Sequence, residues 1–140
     1  MFIKQLSIFV ENKFGRLEAI IDCLSKNNIN LRALSLADTA DYGVLRVIVD
    51  DADKAKMALS EIGVISKLTD VVAVYLDDRS GGLASVLSVL KNEDVSVEYM
   101  YAFLGRKEGK ALMVLKADDE QKAEKVLADN NIPMASQEGI

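Results

Sequence analysis

Histidine is absent from this chain of 140 residues. That removes the commonest general base near neutral pH and the commonest nitrogen ligand of zinc, so Ser-His-Asp triads and histidine-based metal sites are excluded. A single cysteine, Cys23, permits no intramolecular disulfide, in keeping with a reducing compartment, and its helical context reads as a buried small hydrophobe. With one proline and no Gly/Ser/Pro-rich stretch, the sequence holds no long linker and describes a packed chain rather than a disordered one. Basic residues are scattered and the net charge is −5, which argues against nucleic acid or an anionic membrane surface as the main partner. The apolar runs are short and broken by charges. Met1-Phe2-Ile3-Lys4 leads directly into a strand-like pattern without a signal-peptide core, so a cytosolic protein is expected.

What is present is a repeat. Asn12-Lys13-Phe14-Gly15-Arg16-Leu17 follows the apolar run Leu6–Val10, and Asp78-Arg79-Ser80-Gly81-Gly82-Leu83 follows Val71–Leu76, with Gly15 and Gly81 separated by 66 positions. A helical stripe comes next in each half: Leu17, Ile20, Ile21 and Leu24 are matched by Leu83, Val86, Leu87 and Leu90 at the same offset. Asn28-Ile29-Asn30-Leu31 and Asp94-Val95-Ser96-Val97 then open second strands. Tyr42-Gly43 and Glu108-Gly109-Lys110 mark hairpins leading to third strands. The second helices, through Ala55, Ala58, Leu59 and Ala123, Val126, Leu127, are 68 positions apart, so the second copy has gained two residues near its hairpin. Asp50, Asp51 and Asp53, like Asp118 and Asp119, stand where helix N-termini attract carboxylates. They lack the ligand spacing of a calcium loop, and neither metal nor cofactor is expected.

Each copy therefore reads strand, helix, strand, strand, helix, strand. That is an α+β, ferredoxin-like βαββαβ unit with two helices on one face of an antiparallel sheet, the first spanning residues 1–70 and the second 71–140. Ile65 to Asp77 reads as one extended segment that ends the first unit and, near Asp70, begins the second. Ile132 to Ser136 supplies the final strand, at an edge because of Pro133. Several strands are apolar on both faces, such as Val44–Val49 and the row Tyr99, Tyr101, Phe103 backed by Met100, Ala102 and Leu104. The second face is expected to be covered, by sheet-to-sheet or edge-to-edge packing of the units or by a second chain, and the aromatic row reads as packed interface.

With the strand, the Asn-x-x-Gly-x-Leu turn at Asn12–Leu17 and the Asn-Ile-Asn-Leu entry at 28–31 in place, the chain resembles the ACT-domain family, in particular stand-alone proteins made of two ACT units. The resemblance covers the whole chain twice. It implies a non-catalytic regulatory protein that binds an amino acid or similar small ligand reversibly at unit interfaces, acts on a separate regulated enzyme, and forms a homo-oligomer such as a homodimer.

Loop chemistry points the same way, because a glycine at a strand-to-helix turn lets backbone N–H groups approach a ligand while the helix N-terminus favours a carboxylate. The family pattern places Asn12, Phe14, Gly15, Arg16 and Leu17 around the first loop with Asn30 as a side-chain contact; in the second copy the matching set is Asp78, Gly81, Gly82, Leu83 and Ser96. Asn can accept from an ammonium and donate to a carboxylate, whereas an ionised Asp only accepts. The first loop, with Arg16 and neutral Asn12 and Asn30, thus suits a carboxylate, and Asp78 suits an ammonium. Phe14 and Ser80 depart from the proline often found before the family's loop glycine; Phe14 is placed to cover a ligand and Ser80 to cap a helix. Other readings stay open: the glycines as turn residues, Asn12 and Asp78 as helix caps, Asn30 and Ser96 as strand entries, and the whole as an assembly module with a decayed site. RNA binding would need a basic sheet face, and phosphate-ester hydrolysis an arginine-bearing phosphate loop beside a suitable Asn. Neither pattern is present.

Overall fold

The computed structural model describes residues 1–38, 41–105 and 109–140; Glu108 of the second hairpin lies outside them. The chain forms two compact units, one of residues 4–69 and one of residues 70–140 together with 1–3. In the first unit β1 (Ile3–Glu11), α1 (Arg16–Lys26), β2 (Leu31–Asp38), β3 (Tyr42–Val49), α2 (Ala52–Glu61) and the start of β4 (Ser66–Asp77) follow one another. In the second, the rest of β4 is followed by α3 (Gly82–Asn92), β5 (Val97–Ala102), β6 (Lys110–Ala117) and α4 (Glu120–Asp129). The strand order is β2-β3-β1-β4 in the first and β4-β6-β5 in the second. The pairings of β3 with β1 and β2, and of β6 with β4 and β5, are all antiparallel. Both units are ferredoxin-like α+β folds.

Alternation along the strands makes the core. Leu6, Ile8 and Val10 of β1 and Leu45, Val47 and Val49 of β3 face Ile20 and Leu24 of α1 and Ala55 and Leu59 of α2. The second unit repeats this with Val72, Val74 and Leu115 against Val86, Leu90, Val126 and Leu127. The other face is buried in part: Gln5, Ala33 and Ile48 in the first unit and Val71, Ala73, Val114 and Tyr101 in the second are buried, whereas Phe9 is 46% exposed. Gln5 meets its burial with a hydrogen bond from Nε2 to Ser7 Oγ at 3.1 Å.

Helix ends follow the duplicated sequence closely. Asp51 caps α2 and Asp119 caps α4, their carboxylates accepting from the N–H groups of Lys54 at 3.0 Å and Lys122 at 3.1 Å. Each of α1, α2, α3 and α4 is followed by a left-handed residue: Asn28, Gly63, Asp94 and Asn131, with φ of 57°, 76°, 57° and 58°. A strand irregularity also recurs, between Leu31 and Ala33 in one unit and Val97 and Tyr99 in the other. The final strand is shorter than the sequence suggests. Only Met134 pairs with Val74, flanked by bonds from Tyr75 N–H to Pro133 O and from Ala135 N–H to Ala73 O. Pro133 can accept but not donate, and the chain then turns into a short 3-10 helix at Gln137–Gly139.

Candidate functional site

Gly15 and Gly81 sit immediately before α1 and α3 with φ of 81° and 87°, a conformation that only glycine adopts without strain. Neither helix receives a side-chain cap, in contrast to α2 and α4. Asn12 and Asp78 are therefore not helix caps, and Ser80 does not cap α3. Gly15 O and Gly81 O accept the N–H groups of Ala19 and Ser85, and Arg16 N–H and Gly82 N–H turn back to Lys13 O and Arg79 O. The N–H groups of Leu17 and Glu18, and of Leu83 and Ala84, find no acceptor among the described residues. Each turn thus offers two backbone donors at the positive end of a helix dipole, where a carboxylate is favoured.

The two turns differ in charge and in packing. Glu11, at the end of β1, pairs with Lys13 at 3.1 Å and more distantly with Arg16 at 3.9 Å; Lys13 first, then Arg16, holds its carboxyl below the usual carboxylate range. In the second unit Asp77 is engaged by Lys110 at 2.5 Å and Arg79 at 3.4 Å, and its carboxyl is likewise lowered, chiefly by Lys110. Gly82 packs against the end of β4, where an added Cβ would stand 2.1 Å from Asp77 O. Arg16 occupies the matching position in the first unit and reaches outward, about half exposed. Phe14 is fully exposed, whereas Leu17 is only just exposed.

Strand direction separates the remaining sequence-derived residues. Glu11 lies opposite Tyr42 at one end of the first unit's sheet, while Leu31 lies opposite Val49 at the other. Asn30 therefore sits at the far end from Gly15, about 16 Å away along the eleven residues of α1. Its N–H donates to Asp50 at 3.1 Å and its carbonyl accepts from Asp50 N–H. Ser96 is tied to Asp118 in the same way. The grouping of Asn30 with the first turn and of Ser96 with the second does not occur within a unit, because a β-α-β crossover returns the chain to the end where its first strand began.

The first unit also contains a cleft that the sequence reading missed. It has a volume of about 530 Å³, and its lining includes Glu11 and Arg16 beside the turn, Ile20 and Cys23 of α1, and residues 62–65. Among the described residues no cluster of carboxylate and thiol groups is arranged to hold a metal ion. No described helix is long and apolar enough to cross a membrane.

A family model described as an ACT domain pair matches residues 1–140. The crystal structure of protein BT0572 from Bacteroides thetaiotaomicron superposes with a TM-score of 0.91 at 41% sequence identity, covering 98% of this chain and 94% of that one. The ligand-free regulatory subunit of aspartate kinase from Thermus thermophilus shares the fold with a TM-score of 0.64 at 14% identity, covering 90% of each chain. Its Thermus flavus counterpart gives 0.59 at 15%, again with 90% of each chain covered. Comparison with curated proteins gave no match.

Proposed function

The chain belongs to the ACT-domain family as a tandem pair, and from that membership we propose that it is a non-catalytic regulatory protein of the cytosol that binds an amino acid. The observation that carries this reading is the uncapped start of α1, where Gly15 leaves the N–H groups of Leu17 and Glu18 without acceptors among the described residues, in the turn that also carries Arg16. A ligand carboxylate satisfies those donors. The second turn has the same backbone but a carboxylate, Asp78, in place of Asn12. It suits the ammonium end of a ligand better than the acid end, and the two turns are unequal sites. The proteins of the same fold from the two Thermus species are regulatory subunits by name, which supports an output passed to a separate enzyme or to a change in homo-oligomeric assembly.

A thermal-shift screen of the twenty amino acids tests this. Selective stabilisation is expected, reaching about 2.7 kcal/mol when ligand is present at about 100 times its dissociation constant. Gly15→Val, which forces a β-branched residue into a left-handed conformation, should abolish that response while the second turn is untouched. A flat screen, repeated with other small acids and nucleotides, supports instead an assembly module whose site has decayed.

A further inference from the structure

The cleft beside α1 has an apolar wall, a charged end and a size within the range of small-molecule sites. Its wall includes Ile62 and Ile65, which are 51% and 70% exposed despite being large and apolar. Single exposed hydrophobes are ordinary, but two on the same cleft are a surface awaiting cover. The internal repeat sharpens the point. At the matching positions, 68 residues on, the second unit has Asn130 and Pro133, and 66 residues on from Arg16 it has Gly82. The two exposed isoleucines and Arg16 thus occur together in the first unit, and all three are replaced in the second.

Two cations border the cleft. Lys26 is held by Asp22 at 2.8 Å, whereas Arg16 meets only the distant edge of a Glu11 carboxylate already paired with Lys13. An incoming anion therefore finds its donors at the Arg16 end, where a planar guanidinium can grip a carboxylate with two hydrogen bonds. We infer that the cleft takes a small carboxylic acid with a branched or aromatic apolar body, an apolar α-amino acid or the corresponding α-keto acid, its carboxylate on Arg16 and its body against Ile20, Ile62 and Ile65. This rests on Arg16 as the carboxylate partner in the proposed function and adds what the rest of the ligand touches. Cys23 lies on the cleft wall, half-buried. It is the chain's single cysteine, so a ligand in the cleft shields the one alkylatable thiol.

The experiment measures the rate of Cys23 modification by a maleimide on the full chain, with leucine, phenylalanine, their α-keto acids, glycine or serine added, alongside the thermal shift with each. The expected result is slowing of at least about tenfold by the apolar acids, none by glycine or serine, and loss of the slowing in Ile62→Glu and in Ile65→Lys. Both substitutions are at exposed positions and should leave the unliganded melting temperature unchanged. Equal slowing by amino and keto acids shows that the ammonium is not read, and slowing by amino acids alone shows that it is. Stabilisation without Cys23 shielding, or shielding that survives both substitutions, overturns the cleft and leaves the turn as the site. Neither shift nor shielding with any acid overturns both.

Discussion

At the scale of single residues, the two glycines of the second turn do different jobs. Gly81 is needed for its backbone angle and has open space around it, whereas Gly82 is needed for what an added Cβ would strike, the carbonyl of Asp77. Gly82→Ala must therefore move α3 away from the end of β4, and a loss of about 1–3 kcal/mol is expected in a denaturant titration, as for an overpacked core. Gly105→Ala, where nothing lies within 4 Å, is the control and should stay within about 0.5 kcal/mol. Equal effects from the two would show that the close approach does not constrain the turn. The matching position in the first unit carries Arg16, whose side chain is about half exposed.

At the scale of elements, α4 begins with a carboxylate in an unfavourable place. Glu120 stands beside the end of β6, near Lys116 at 3.7 Å and accepting from Ala117 N–H, with Glu98 of β5 on the far side of the same lysine. Burial pushes its pKa from 4.5 up to about 7, outweighing the Ala117 N–H and Lys116, which act the other way. Between pH 4.5 and about 7 the folded chain holds a proton that the unfolded chain has released, so this group's contribution to stability falls as pH rises through that window. Glu120→Gln should remove that part of the slope and melt higher than the parent above pH 7. A parallel pair of stability curves would mean the carboxylate is solvated.

Much of this level was legible in the chain itself. The 66- and 68-residue offsets located both turns, all four helices and the aspartates that cap α2 and α4, since local spacing determines local structure. Within one unit Asn30 and Ser96 stand at the opposite end from the glycine turns, a separation that the β-α-β crossover already implies in the sequence. The cleft was missed because an isoleucine on either side of Gly63 looks like ordinary core in a linear pattern. Comparison with Asn130 and Pro133 was the available signal. The burial of part of the second sheet face, at Ile48 for example, agrees with strands such as Val44–Val49 that lack a polar side.

At the scale of the whole molecule, the units are not consecutive blocks. Residues 1–3 belong with residues 70–140, and Phe2 packs against the second unit's core of residues such as Val72, Val74 and Leu115. Met1 reinforces this through its amino group, which pairs with Glu124 of α4. Phe2→Ala is expected to cost about 2 kcal/mol, less than a fully buried phenylalanine. Hydrogen exchange should show the protection loss in residues 70–140 while residues 4–69 keep theirs; loss confined to β1 would contradict this.

That interleaving bears on how such a chain is made and inherited. Residues 1–3 belong to a unit whose remainder follows residue 69, so that fold stays unfinished until residues 70–140 have been translated after them. A break at the junction near residue 70 hands its downstream product a unit missing its opening segment. Exchange of the halves at that junction would likewise part residues 1–3 from the unit they complete.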